Sequence, residues 1–110
     1  MSLSSHVLDG ARGRPAAGVR VRWDHLADGR WQRVAEAVTG EDGRITGWNG
    51  ASPGAGTHRL VFASGEYFSA LSTPTFYPEV VVVFEVTDAD DHHHVPLLLS
   101  PFAYSTYRGS

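Results

Sequence analysis

Hydrophobic residues return at every second position through much of this chain. Val19, Val21 and Trp23 alternate with Arg20, Arg22 and Asp24, the period-two pattern of a strand with one buried and one wet face. Residues 4–9 repeat it on a smaller scale, with Val7 inward and His6 and Leu8 outward. After Asp28-Gly29, a dipeptide suited to a tight hairpin, residues 31–39 return as a strand. Glu41-Asp42-Gly43-Arg44 forms a further turn, with Gly43 able to take positive φ, and leads into a brief strand at 44–46. Residues 47–56, rich in Gly, Ser, Asn and Pro, read as a loop, and 57–62 as the next strand. Residues 79–87 carry Val80-Val81-Val82-Val83-Phe84, a β-branched run that favours a strand, closed by the acidic turn 88–91. A last pair of strands, from His94 to Ser100 and from Phe102 to Tyr107, is separated by Ser100-Pro101 and stops at Arg108-Gly109-Ser110. Only residues 64–71 have helical spacing, with Ser64 as N-cap, Glu66 in the first turn, and Tyr67, Phe68 and Leu71 three and four apart.

Short strands at even spacing with turns between them predict an all-β protein, a two-sheet antiparallel β-sandwich with one short helix. Its 110 residues are read as one domain, 1–110. Several strands have two apolar faces. From His94 onward, Val95, Leu97 and Leu99 belong to the core, yet the opposite face carries Pro96 and Leu98 beside His94 and Ser100. Val81 and Val83 are likewise apolar on the face opposite Val80, Val82, Phe84 and Val86. A second copy of the chain is the expected cover for such faces. Trp23, Trp31, Phe62, Phe68, Phe76, Phe84 and Tyr104 are assigned to the core.

Composition narrows the function. The net charge is -3 and the pI about 6.0, which points away from nucleic acid and anionic membranes as partners. Arg12, Arg14, Arg20 and Arg22 read as a charged face and turn. The lack of cysteine excludes disulfides and thiolate chemistry and fits a reducing compartment. Residues 1–6 do not resemble a signal peptide, and no stretch approaches the ~20 apolar residues of a membrane span. A cytoplasmic protein is expected. No nucleophile elbow, phosphate loop or cysteine zinc pattern is present, so chemistry would fall to His, Arg, Ser and water.

Six histidines stand at 6, 25, 58, 92, 93 and 94. His6 and His94 share outward faces with apolar neighbours, where burial keeps an imidazole neutral and able to act as a base; both also suit hydrogen-bonded packing. His92 and His94, two apart, could join His6 around zinc, but no carboxylate or cysteine is spaced to complete or orient that set. No metal and no cofactor are expected, and His92 and His93 read as solvated loop residues. Arg44 and Arg108 are either surface charges or planar forks for an oxygen-rich, anionic heterocycle.

Five ordered stretches, Ser5-His6-Val7-Leu8-Asp9 with Gly13-Arg14-Pro15-Ala16, Asp42-Gly43-Arg44, Gly65-Glu66-Tyr67-Phe68, Phe76-Tyr77-Pro78-Glu79-Val80 and the run His94 to Pro101, precede a terminal Tyr107-Arg108-Gly109-Ser110. Across essentially the whole chain this resembles the transthyretin-like 5-hydroxyisourate hydrolase family. The resemblance implies a transthyretin-like sandwich assembled as a homotetramer, a dimer of dimers with sites in the channel between dimers. It implies hydrolysis of 5-hydroxyisourate to 2-oxo-4-hydroxy-4-carboxy-5-ureidoimidazoline in urate catabolism. His6, Arg44 and His94 would be catalytic and would bind the small-molecule substrate together with Tyr107, Arg108 and Ser110. The four terminal residues would close the site, from their own or an adjoining subunit. His93 and His58 depart from the family, which commonly has an aromatic and a tyrosine there. The alternative is a small-ligand carrier on the same scaffold, which lacks the terminal tetrapeptide and the His-Arg-His set.

Overall fold

Val19, Val21 and Trp23 are fully buried and Arg20 is exposed, so the alternation of that stretch leads into a strand with one face on the core of two packed sheets. The computed structural model describes residues 2–110, and Met1, the first residue of the stretch read for a signal peptide, lies outside them. In chain order the elements are β1 (Ser2–Asp9), β2 (Arg14–Pro15), β3 (Arg20–Ala27), β4 (Arg30–Val38), β5 (Arg44–Ile45), β6 (Gly56–Phe62), α1 (Ser64–Ala70), β7 (Val80–Val86), β8 (His92–Ser100) and β9 (Ala103–Thr106). One sheet runs β4-β3-β6-β7. The other runs β2-β1-β8-β9, with β5 also pairing β1. The expected two-sheet sandwich with one short helix is borne out. Its core is filled by Val7, Trp23, Leu60, Phe62, Phe68, Val80, Leu97 and Leu99 from both layers.

The turn chemistry follows the sequence. Asp28 and Gly29 both have positive φ (52° and 75°), as a two-residue turn matching strand twist requires. Gly43 (φ 76°) sits against the Val7 carbonyl and Pro15, where a side chain has no room, and the Val7 N–H donates to the Gly43 carbonyl at 2.8 Å. Asp9 closes the turn after β1. Its Oδ1 accepts from the Ala11 and Arg12 amides at 3.0 Å, and its Oδ2 from the Tyr67 hydroxyl at 2.7 Å. Burial, then the Asp9 carboxylate, pushes the Tyr67 phenol up to about 12.

One pairing runs the other way from the rest. β1 and β8 are parallel, joining Ser2 to His92, Ser4 to His94 and His6 to Pro96. Residue alternation carries no information on strand direction, since either direction buries the same face. This pairing fixes the site described below.

Several side chains are not where the pattern put them. Asp24 stays on the face it shares with Arg22 yet is buried there; the register shift beside it places its extra residue, Val34, on β4. The Arg22 and Arg59 Nε atoms donate to its carboxylate at 3.1 and 2.7 Å. Ser64 does not cap α1: Ala63 holds that position, and the Ser64 hydroxyl donates to the Tyr77 carbonyl at 3.0 Å. Phe76 is exposed, and Tyr104, also exposed, meets Tyr77 edge-on. Trp31 is half-buried beneath the Arg59 guanidinium. Conversely Trp48, inside the 47–56 loop, is buried edge-on to Trp23, and its indole N–H donates to the Leu3 carbonyl at 3.0 Å.

Candidate active site

β1 is the middle strand of the site. Ser2, Ser4, His6 and Leu8 share its outward face, since alternate residues of a strand point the same way. β5 sets Arg44 opposite His6, and β8 sets His94 opposite Ser4. Same-face residues of paired strands are neighbours, so His6 and His94 are diagonal partners with Cβ atoms roughly 7 Å apart by sheet geometry. His6, Arg44 and His94, far apart in sequence, thus form one patch on the outer face of one sheet.

The hydrogen bonds fix what each imidazole offers. His6 Nε2 lies 2.9 Å from the Asp42 carbonyl, an acceptor only, so Nε2 carries the proton and Nδ1 the lone pair. His94 Nδ1 lies 2.8 Å from the Ser4 hydroxyl, which leaves Nε2 for other work. Burial holds the His94 imidazole below its ordinary pKa, and the positive charge of Arg44 adds to this. Among the described residues no carboxylate pairs with the Arg44 guanidinium. It is exposed, while the Asp42 carboxylate accepts from its backbone N–H at 3.0 Å.

The terminal residues fold back onto β8 of their own chain. Gly109 forms an isolated bridge with His94, its N–H donating to the His94 carbonyl at 2.8 Å. A Cβ at Gly109 would run into the His94 ring, so only glycine lets the chain lie there. Tyr107 and Arg108 border a cavity of about 340 Å³ together with His94, His93 and the β7 residues Val82 to Glu85. His6 and Arg44 do not line that cavity. His94 therefore stands between two parts: the outer-face patch with His6 and Arg44, and the recess at the edge of the sandwich with Tyr107 and Arg108. Ser110 follows Gly109 and is exposed.

Two histidines read as solvated loop belong to β8 instead. His93 is buried, its Nδ1 3.1 Å from the Asp91 carbonyl. His92 is exposed but bonded at both nitrogens: Nδ1 to the Ser2 hydroxyl at 2.6 Å and Nε2 to the Ser4 hydroxyl at 2.9 Å. The acidic turn before them hid the strand's true start. Ser2 and Ser4, not singled out in the sequence, become visible only through the parallel register.

The family described as "HIUase/Transthyretin family" matches residues 3–109. A 5-hydroxyisourate hydrolase of Caulobacter vibrioides is 46% identical over 112 residues, covering 98% of this chain and 97% of that one. The structure of Klebsiella pneumoniae 5-hydroxyisourate hydrolase superposes with a TM-score of 0.88 at 33% identity, over 99% of this chain and 98% of that chain. Sea bream transthyretin in complex with thyroxine superposes with a TM-score of 0.90 at 31% identity, over 97% and 93%.

Proposed function

This chain belongs to the HIUase/Transthyretin family, and we propose that its activity within that family is hydrolysis of 5-hydroxyisourate. Backbone shape alone does not separate a hydrolase from a carrier, since a transthyretin superposes as well as a hydrolase does. Sequence identity to hydrolases over nearly the full length supports the enzyme. So does the patch itself. Two imidazoles, each with one nitrogen committed to a hydrogen bond, share the face with a guanidinium that has no carboxylate partner among the described residues. That patch is the observation on which the reading rests, because a hydrophobic carrier site has no use for it.

Opening the six-membered ring adds water to a ring carbonyl, breaks that carbon's bond to nitrogen, and leaves a carboxylate and a ureido group. In our reading His94 Nε2 takes the proton of the attacking water, since a base kept neutral near working pH suits this task. His6 Nδ1 holds the same water from the second side. Arg44 offsets the charge that develops on the carbonyl oxygen, and Arg108, Tyr107 and Ser110 hold the rest of the heterocycle. The proton returns from His94 to the departing nitrogen, so no covalent enzyme intermediate is required.

A homotetramer and a cytoplasmic location belong to the same proposal. Leu98 lies on the outer face with His94, and Val81 and Val83 lie on the outer face of β7; all three are exposed. β7 and β9 end their sheets, and such edges invite pairing with another copy. Among the described residues no helix is long and apolar enough to cross a membrane.

The direct test generates 5-hydroxyisourate in situ from urate with urate oxidase and follows its absorbance. The protein should accelerate the decay. An unchanged decay rate returns the chain to the carrier reading.

A further inference from the structure

Between His94 and the protein surface runs an unbroken line of hydrogen-bonding groups. The His94 Nδ1 lies 2.8 Å from the Ser4 hydroxyl, that hydroxyl 2.9 Å from His92 Nε2, and His92 Nδ1 2.6 Å from the Ser2 hydroxyl. Ser4 is buried; Ser2 and His92 are exposed. A hydroxyl has one proton to give, and a neutral imidazole has one N–H and one lone pair. All four groups are therefore satisfied only if every bond points the same way along the line, toward Ser2 or toward His94.

We propose that Ser4 and His92 form a proton relay that serves the catalytic His94, carrying positive charge from the site to the exposed imidazole and back. The inference rests on the hydrolase reading above. In the resting state His94 Nδ1–H donates to Ser4, Ser4 O–H to His92 Nε2, and His92 Nδ1–H to Ser2, so His94 Nε2 holds a lone pair. When Nε2 takes the proton of water, the Nδ1 proton passes to Ser4 oxygen and the Ser4 proton to His92 Nε2. The cation now resides on His92, and His94 is neutral with its proton on Nε2. When the carbon–nitrogen bond breaks, His94 Nε2–H protonates the departing nitrogen while His92 returns its proton through Ser4 to His94 Nδ1. One proton has gone from water to the leaving nitrogen, and the line is back at rest.

The physical gain lies in where the charge waits. An imidazolium at His94 would stand beside the Arg44 cation and be partly buried, both unfavourable. At His92 it reaches water. Ser4 and His92 touch no substrate in this scheme; they act through His94 as positioning residues.

The experiment uses the full chain with Ser4→Ala, Ser4→Thr and His92→Gln. Glutamine keeps a hydrogen-bonding side chain but cannot take up and release a proton. In dilute buffer Ser4→Ala and His92→Gln should lower kcat roughly tenfold with KM unchanged, short of the ~100-fold or more that losing the base itself costs. Ser4→Thr should retain the parental kcat. Added imidazole should restore kcat in His92→Gln, because a diffusible base replaces the missing carrier, and should leave the parent unaffected. Parental kcat in Ser4→Ala, or a loss that neither threonine nor imidazole reverses, overturns the relay. A nitrogen-15 spectrum of the imidazoles gives a readout independent of turnover: Ser4→Ala should change the tautomer signals of His92 and His94 together. Unchanged signals at His92 overturn the relay even in an active enzyme, whereas a parent that does not accelerate the decay overturns the hydrolase reading and leaves the spectrum to decide the hydrogen-bonded line.

Discussion

Gly109 lies against the imidazole of His94 and donates its N–H to that residue's carbonyl 2.8 Å away. The last four residues are thus fastened to the strand that carries the proposed base, and the fastening depends on a missing side chain. Gly109→Ala should push the tail off β8, carrying Arg108 and Ser110 with it. Displacements of about 1 Å cost on the order of 100-fold in well-organised sites, so kcat/KM should fall by roughly ten- to 100-fold. The melting temperature should stay put, because no core residue is touched. Steady-state kinetics and a thermal melt check both halves, and parental kcat/KM in this variant would remove the tail from the site.

His94 and Arg44 make a second prediction, on pH. Burial first, and the Arg44 charge next, hold the His94 imidazole below its ordinary pKa. The base is therefore neutral at neutral pH, and kcat/KM should be flat there, falling only on the acid side as His94 takes its proton. Removing the like charge raises the pKa. In Arg44→Gln the acid limb should accordingly begin at higher pH, on top of a general loss of activity from weaker substrate and oxyanion binding. A profile of kcat/KM in both proteins, each normalised to its own plateau, measures the displacement. A limb that does not move separates Arg44 from His94 electrostatically.

Alternation placed Val7, Val19, Val21, Trp23, Val95, Leu97 and Leu99 inside, and all are buried; a period of two needs nothing beyond the chain itself. It also turned His6 and His94 to the outer face. What it could not express was the parallel pairing of β1 with β8, and with it the meeting of Ser4, His92 and His94. The burial of Asp24 leaves no mark in the pattern either, since it goes with the Arg22 and Arg59 side chains that meet its carboxylate across neighbouring strands. Trp48 was hidden for a different reason: a loop composition rich in Gly, Ser and Asn says the backbone is irregular but not where a large ring goes. The terminal tetrapeptide was legible as a motif, whereas its anchor on His94 depends on a contact between residues that only the fold brings together.

His58 couples stability to pH. It is fully buried, its Nε2–H donates to the Gly54 carbonyl at 2.8 Å, and its Nδ1 accepts from the Trp23 indole N–H at 3.0 Å. Both nitrogens are committed in the neutral form, and the ring is stacked between His25 and Phe84. Protonating Nδ1 would set two donors against each other. Burial accordingly lowers the pKa, with His25 adding to the shift. The unfolded chain takes up this proton near pH ~6.5, the folded one only at lower pH, so stability is full above that point and declines as pH falls below it. The decline is bounded by about 1.4 kcal/mol per pH unit for one group. Urea unfolding of the parent and His58→Phe between pH 7 and 5 isolates the contribution. The variant should start about 1–3 kcal/mol less stable, because the Trp23 N–H loses its acceptor, yet show a shallower dependence on acid. Equal slopes would assign the acid sensitivity to other groups.

Leu98 tests the assembly. It is 41% exposed on the face that also presents His94, and it sits opposite Leu8 across the β1–β8 pair. These two residues share a face with two imidazoles, where a lone protomer would leave Leu98 and the proposed site open to water. If a second copy covers this face, a charge at its centre must be desolvated without a partner, at several kcal/mol. Leu98→Arg should therefore dissociate the proposed tetramer into smaller species by light scattering coupled to gel filtration, and it should do so without unfolding the protomer, since Leu98 takes no part in the core. Activity should fall with the assembly, and raising the protein concentration should recover part of it, as mass action demands. Full activity from a dissociated Leu98→Arg protomer would show that each chain carries a complete site.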